Sequence, residues 1–480
     1  MLFTNTKGMR MSEFQSLLKA VLAREIAEFR DLNTCERLSG GASQETYRIV
    51  MATDAGEQKL CMRRAPGGIK VATVAQHPGL ATEALLMQVA RDAGVPEPEV
   101  RHVLTDADGL GDGFIMEWLE GEALGARIVK APEFDAIRPR LAFLCGQTLA
   151  RIHSVDFVAT GLSERLGRLT AEEFVRQTWD RYQLLGTPQP MIDYAARWLL
   201  THLPETTQPA LVHNDFRNGN IMFNPDGIVA VLDWEVAHIG DPMRDLGWIC
   251  TNSWRFGRTE LPVGGFGEYR DLFAGYESVS GKPVDPQHVK FWEVFGSFWW
   301  AIGCLGMAEH YRSGPDKTVE RPGIGRRSSE CQVDCVNLLI PGPVRLLEGT
   351  PANDGDMPRL DELLGSVRDF LHGDVMKATQ GRTNFLARVA GNSLDIVLRD
   401  LAIGSTHRAE ELARLQALLG RSGSLLELRS ALAERLRTGS ISLDDQSLTD
   451  HLRQTVVNQA SIDQPRYSGY QTAAHRAVKD

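Results

Sequence analysis

Residues 211–248 read LVHNDFRNGNIMFNPDGIVAVLDWEVAHIGDPMRDLGW. Three apolar runs of strand type punctuate the stretch, at 210–212, 221–223 and 228–232. Between the second and third stands Asn224-Pro225-Asp226-Gly227, a tight-turn signal, so the spacing predicts a β-hairpin. Asp215 and Asn220 then lie on the loop leading into the hairpin, and Asp233 just past its far end. Such a hairpin brings Asn220 and Asp233 together as two oxygen donors suited to a hard cation such as Mg²⁺. Asp215 is left apart, able to accept a proton. A carboxylate that takes a hydroxyl proton beside an Asn and an Asp that hold metal is the equipment of phosphoryl transfer. A surface hairpin with ordinary turn residues would also contain Asn and Asp. The joint spacing His213-x-Asp215-x4-Asn220, followed by Leu232-Asp233-Trp234, argues for the chemical reading.

Composition bounds the rest. The 480 residues are 43% hydrophobic and 24% charged, ordinary globular values for two or three domains. A formal charge of −10 lacks the basic field of a nucleic-acid surface, so no nucleic-acid partner is expected. No signal peptide is read at the start. Seven scattered cysteines, an odd number, argue against a full disulfide framework and for a reducing, cytoplasmic location. Cys331 and Cys335, four apart with no second pair nearby, read as buried thiols rather than metal ligands. The longest uncharged stretch, 294–308, is too short for a membrane span, which needs about 18 apolar residues. It reads as a buried helix.

Upstream, Ser12 is a candidate N-cap with Gln15 as its capping-box partner, ahead of Leu17, Leu18, Val21, Leu22 and Ile26 at helical spacing. Gly40 and Gly41 lie between strand-like runs, where bare backbone N–H groups can cradle phosphate oxygens, and Ser43 adds a hydroxyl. The same residues would equally make a plain hairpin loop. Residues 60–63 form a strand in which Cys61 and Arg63 share a face. A helix is expected over 81–93 with Glu83 near its start, and an apolar strand over 114–121. His153 ends a helix as a structural hydrogen-bonder, and Asp241 caps the helix that Pro242 opens. Asn252, Trp254 and Arg255 are candidates to face a substrate. Beyond a turn-rich stretch at 341–357, leucines recur at helical spacing with no strand alternation, so the tail reads as a helical domain.

The His213–Asn220 spacing, Phe216-Arg217, Leu232-Asp233-Trp234-Glu235, the run AHIGDP at 237–242 and Asp245-Leu246 resemble the aminoglycoside phosphotransferase-like kinases. They look most like the kinase domains fused to some acyl-CoA dehydrogenases and the free-standing bacterial relatives of those domains. The resemblance implies an α+β, bilobal, protein-kinase-like fold followed by an all-α C-terminal domain. The expected boundaries are 12–120 for the N-lobe, 121–340 for the C-lobe, 341–357 for a linker and 358–480 for the tail. The end of the tail, Pro465 to Tyr470, resembles an uncharacterised helical domain found next to such kinases.

The resemblance also implies roles. ATP and Mg²⁺ are the expected ligands, Asp215 the base, and Asn220 and Asp233 the metal ligands. Gly40, Gly41 and Ser43 fall on the nucleotide-binding loop. Arg63 stands where most kinases carry Lys; it keeps the charge but offers a planar fork. Glu83 is its expected carboxylate partner, and backbone groups of Glu117 and Leu119 meet the adenine edge. Asn214 departs from the usual Gly. No long activation loop fits between Asp233 and Gly240, which favours a small-molecule kinase. The acceptor implied is a 4-hydroxyacyl-CoA, with an acyl-CoA dehydrogenase as a possible partner. An aminoglycoside or choline-type kinase and a non-catalytic pseudokinase scaffold are the competing readings.

Overall fold

The computed structural model describes residues 11–38, 44–69, 78–205, 208–353 and 355–477. The chain divides into two compact units. The first comprises Met1–Leu169, Thr207–Ile249 and Phe266–Asp285; the second comprises Thr170–Thr206, Cys250–Gly265 and Pro286–Asp480.

The first unit is built on a five-stranded antiparallel sheet, order β1-β2-β3-β5-β4, from β1 (Asp31–Arg37), β2 (Glu45–Thr53), β3 (Gly56–Arg64), β4 (Val100–Val103) and β5 (Gly113–Glu117). Along β2 every second residue is buried, which gives the sheet one apolar face. Tyr47, Ile49 and Met51 pack there with Leu60, Met62 and Ile115 against Phe14, Leu18, Val21 and Leu22 of the helix Met11–Glu25. That helix already includes Ser12, so Ser12 lies inside its first turn rather than capping it. The helix Leu80–Asp92 follows β3 in the chain.

Further along, β6 (Ala210–Val212) pairs with β9 (His238–Gly240), and β7 (Ile221–Asn224) with β8 (Gly227–Val231), both antiparallel. The expected hairpin is present. Its turn is set by Asn224, whose Oδ1 accepts from the N–H groups of Asp226 at 2.9 Å and Gly227 at 3.0 Å. Two helices, Arg138–His153 and Tyr269–Ser280, pack with almost no gap. A Cβ on Gly146 would lie 2.1 Å from Leu272 O, and one on Gly275 would lie 2.0 Å from Phe143 O, so only glycine allows this approach.

The described residues of the second unit are helical apart from loops, short 3-10 turns and an isolated bridge. The stretch 294–308 falls within the helix Pro286–Ser313, where Val294, Phe295 and Phe298 are fully buried. Two helices, Ala171–Leu184 and Leu425–Thr438, open on reciprocal capping boxes, Thr170 with Glu173 and Ser424 with Glu427. A buried carboxylate, Asp193, accepts from Trp179 Nε1 at 2.8 Å, Tyr182 Oη at 3.1 Å and Arg437 Nε at 2.8 Å. Another, Asp334, accepts from Asn252 Nδ2 at 2.8 Å and Tyr467 Oη at 2.5 Å. Among the described residues none of the helices is long and apolar enough to cross a membrane, and none of the seven cysteines forms a disulfide.

Candidate active site

β6 delivers His213, Asn214 and Asp215, and a buried carboxylate holds that turn from behind. Asp245 Oδ2 accepts the N–H of His213 at 2.8 Å and Oδ1 that of Asn214 at 2.7 Å, while His153 Nε2 lies 3.1 Å from Oδ2. Burial would raise the Asp245 carboxyl, but these hydrogen bonds hold it below the ordinary carboxylate range. His153 thus has the structural hydrogen-bonding role expected of it. Asp241 Oδ1 accepts from Met243 N at 3.0 Å, as a cap would.

His213 shapes the loop. Its Nε2 meets Leu232 O at 3.1 Å and its Nδ1 accepts from Asp215 N at 3.2 Å. A carbonyl only accepts and a backbone N–H only donates, so the ring is the neutral tautomer protonated at Nε2. Burial lowers its pKa in the same sense, overcoming the nearby carboxylates. Asn214 adopts φ 69°, a conformation that Gly enters without strain and Asn tolerates. Its side chain has a purpose that Gly could not serve: Oδ1 accepts from Arg244 Nε at 3.0 Å and Nδ2 donates to Val236 O at 3.3 Å. Arg244 also lies 4.6 Å over the Trp248 ring, and burial pushes its pKa down to about 10.

The carboxylate of Asp215 collects four hydrogen bonds. Oδ1 accepts from Arg217 Nε at 2.9 Å and Trp248 Nε1 at 2.8 Å; Oδ2 accepts from Arg217 Nη2 at 3.2 Å and Asn220 Nδ2 at 2.6 Å. These fill the roughly four lone-pair positions of a carboxylate. Asn220 is placed by the hairpin, its C=O accepting from Leu232 N at 2.7 Å beside the Ile221–Val231 pair. With Nδ2 committed to Asp215, the Oδ1 of Asn220 is the remaining polar atom of its amide. Asp233, at φ 71°, follows the far strand.

Arg63 joins the sheet to this loop. Its Nη2 donates to Asp233 Oδ1 at 2.9 Å and its Nε to Gln44 Oε1 at 2.9 Å. Glu83 is 3.6 Å from Nη2, and Gln44 Nε2 donates to Glu83 at 3.0 Å. The Arg63–Glu83 ion pair is therefore present, with Gln44 bridging it and Asp233 taking the direct hydrogen bond. Burial would lower the Arg63 pKa, but Glu83, Asp233 and Glu235 hold it above its ordinary value. Burial raises the Glu83 carboxyl despite Arg63 and Gln44.

Glu117 ends β5 with its N–H donated to Glu99 O at 2.8 Å, while Leu119, two residues on, has no backbone hydrogen bond among the described residues. The following segment is tied to the hairpin, Glu122 and Phe223 exchanging backbone hydrogen bonds at 2.8 and 2.9 Å. Gly40, Gly41 and Ser43 lie outside the described residues. Asn252 and Arg255 do not behave as expected of substrate contacts. Asn252 is bound to Asp334 and Tyr467, and Arg255 to Glu293 at 2.7 Å and to Cys250 O.

Sequence reasoning assigned no role in the site to Trp248, Gln44 and Arg244, and named Arg217 only as a residue of the family motif. The one available signal was helical: Arg244 and Trp248 are four apart, on the helix Met243–Cys250 that carries Asp245. Among the described residues no group of three or more His, Cys, Asp or Glu is arranged to hold a metal ion. Asn220 and Asp233, the two residues expected from the sequence to hold metal, flank the β7–β8 hairpin.

An antiparallel sheet that presents a basic side chain to a helix carboxylate, coupled to a hairpin bearing Asp215, Asn220 and Asp233, defines a kinase-like phosphotransferase fold. The chain belongs to the phosphotransferase enzyme family, whose model matches residues 34–281. A domain of unknown function, DUF6285, matches 377–467. Acyl-CoA dehydrogenase family member 10 of Mus musculus is 33% identical over 221 residues, 44% of this chain and 19% of its own length. "Probable acyl-CoA dehydrogenase IBR3" of Arabidopsis thaliana is 26% identical over 380 residues, 72% of this chain and 45% of its own length. The chain thus spans less than half the length of these curated relatives. Among solved structures, a Ralstonia eutropha protein assigned to the aminoglycoside phosphotransferases shares the fold, with a TM-score of 0.55 and 23% identity over 67% of this chain and 97% of its own.

Proposed function

We propose that this chain is a small-molecule kinase that moves the γ-phosphoryl group of ATP to a hydroxyl, with a 4-hydroxyacyl-CoA as acceptor. The observation that carries the reading is the convergence on one hairpin of Asp215, Asn220 and Asp233, with Arg63 reaching Asp233 from the sheet. Asp215 takes the proton of the acceptor hydroxyl, whose oxygen attacks the γ-phosphorus as ADP leaves. All four acceptor positions of Asp215 are filled, so an incoming hydroxyl must displace one donor. Arg217, a flexible side chain holding two of them, is the one that gives way. Arg63 and the Gly40–Ser43 loop grip the phosphates, Glu83 and Gln44 orient the guanidinium, and backbone groups of Glu117 and Leu119 meet the adenine. Mg²⁺, held by Asn220 Oδ1 and Asp233, would supply charge neutralisation between the phosphates. The fit is supported by Asp233 being neutralised here by a guanidinium, a cation that is replaceable.

The acceptor class rests on two supports. The curated relatives are named as acyl-CoA dehydrogenases, and the cation beside the base, Arg217, disfavours a polycationic acceptor such as an aminoglycoside. An acyl-CoA dehydrogenase partner acting on the phosphorylated thioester, and a cytoplasmic location, complete the proposal. The test is label transfer from γ-labelled ATP, with Mg²⁺, to a 4-hydroxyacyl-CoA, an aminocyclitol and an amino alcohol in parallel. Label on the thioester is expected. Label on an amine-bearing acceptor alone overturns the acceptor class, and nucleotide binding without turnover on any of them overturns the kinase in favour of a scaffold.

A further inference from the structure

The helix Leu360–Phe370 opens the tail, and none of its residues is buried. One side is held: Arg368 Nη1 donates to Asp395 Oδ1 of the helix Gly381–Arg399 at 3.2 Å. Another side is open. Leu360, Leu363, Val367 and Phe370 are each between 51% and 59% exposed. Single exposed leucines are ordinary, but these four recur three, four and three residues apart, which sets them on one stripe of the helix. A helix this short is marginal without an apolar face to pack, so a stripe left in water is a stability cost that a partner removes.

The chemistry of the stripe selects that partner. Its 3-4-3 spacing is that of the a and d positions of a coiled-coil seam, narrower than the face a globular core requires. The spacing also reads the same in both directions. In an antiparallel pair about a twofold axis, Leu360 therefore falls opposite the partner's Phe370 and Leu363 opposite the partner's Val367. Within the helix the positions flanking the seam are Leu364 and Ser366, both uncharged, so like charges do not face each other beside it. Ser366 brings no unmet hydroxyl, since its Oγ donates to Leu363 O at 2.7 Å. At half exposure each apolar side chain leaves roughly 100 Å² open, so two copies would cover about 800 Å² of apolar surface, and about 1,000 Å² with a polar rim. That is the lower bound for a specific interface and suits a reversible pair. A lipid surface fits worse. The helix carries Asp361, Glu362 and Asp369 against Arg368, whereas interfacial helices present a basic polar face.

We infer that the Leu360–Phe370 helix is a dimerisation surface, pairing antiparallel with the same helix of a second copy of this chain. The inference does not depend on the kinase reading.

Sedimentation velocity of the full-length chain between about 1 and 100 µM should show a reversible shift from monomer to twice that mass, half complete near about 10 µM. Val367→Glu and Leu363→Lys should each stay monomeric over that range. An equimolar mixture of the two should recover the dimer, because position 363 of one copy meets position 367 of the other. Leu426→Glu, at an exposed position on the helix Leu425–Thr438, should dimerise as the wild type does. A wild-type chain that stays monomeric throughout overturns the inference, and one that instead binds phosphatidylcholine–phosphatidylserine vesicles gives the stripe to a lipid surface. A dimer that persists in Val367→Glu overturns the interface, and a mixture that stays monomeric overturns the antiparallel register. If circular dichroism shows that either variant does not fold, amide exchange of the wild type decides. Exchange over residues 360–370 should slow about fourfold from about 1 to 100 µM, as the monomer fraction falls, and unchanged exchange overturns the inference.

Discussion

Replacing Asp334 by Asn should flatten the pH dependence of stability in the second unit. Burial, opposed by hydrogen bonds from Tyr467 and Asn252, raises this carboxyl from 3.8 to about 7. Between about pH 4 and pH 7 the folded chain therefore keeps a proton that the unfolded chain has released. The native state binds more protons in that window, so stability falls as pH rises through it, and the loss is complete above the folded value. Three pH units at about 1.4 kcal/mol each amount to roughly 4 kcal/mol. Asn cannot titrate. Its Oδ1 keeps the Asn252 bond, and its Nδ2 can donate to Tyr467 Oη once that hydroxyl turns. Hydrogen–deuterium exchange of amides in the helix Ser328–Leu339, corrected for intrinsic rates, reads the opening of this region locally. The ratio of wild-type to variant exchange should rise between pH 4 and pH 7 by up to about a thousandfold, the equivalent of that free energy. Parallel profiles for the two chains across this range would refute the reasoning, since the carboxylate would then be no harder to ionise folded than unfolded.

Three further outcomes test the site. Asp215→Asn should lower kcat about 10²- to 10⁴-fold, the usual worth of a general base, with ATP affinity by calorimetry changed less than about threefold. Arg63→Lys should lower kcat/KM for ATP by about tenfold or more. A single ammonium cannot reproduce the fork that engages Gln44 Oε1 and Asp233 Oδ1, both at 2.9 Å, and Arg63→Met should be worse. Asn214→Gly keeps a φ of 69° without strain but deletes the bonds to Arg244 and Val236. It should cost about 1–3 kcal/mol in denaturant unfolding because Arg244 is buried, whereas Asn214→Val should cost more through backbone strain.

Local chemistry explains which parts of this molecule can be read from sequence. The hairpin is legible because Asn224-Pro225-Asp226-Gly227 both breaks the strand pattern and supplies the side-chain acceptor that closes the turn. The helices are legible wherever apolar spacing matches the turn, as in Leu428, Leu432 and Leu436, all fully buried. Asp241 as a cap was readable from the Pro242 that follows it. The donors around Asp215 were not. Trp248 is 33 residues away, and its indole N–H arrives only because β6 and the helix Met243–Cys250 converge, which no local period encodes. Gln44 was hidden differently: a neutral amide carries no charge signal, yet it links the guanidinium of Arg63 to Glu83. Asn252 and Arg255 misled because polar residues just beyond a catalytic helix look available, while the tertiary fold gives them internal partners.

The clamp made by Asp245 has a consequence for how such a protein diversifies. The turn that presents Asp215 is anchored by Asp245, through two main-chain amides that do not depend on which side chains follow. Side chains around that turn can therefore be exchanged while the carboxylate of Asp215 stays where it was. The clamp thus separates what fixes the turn from what surrounds it.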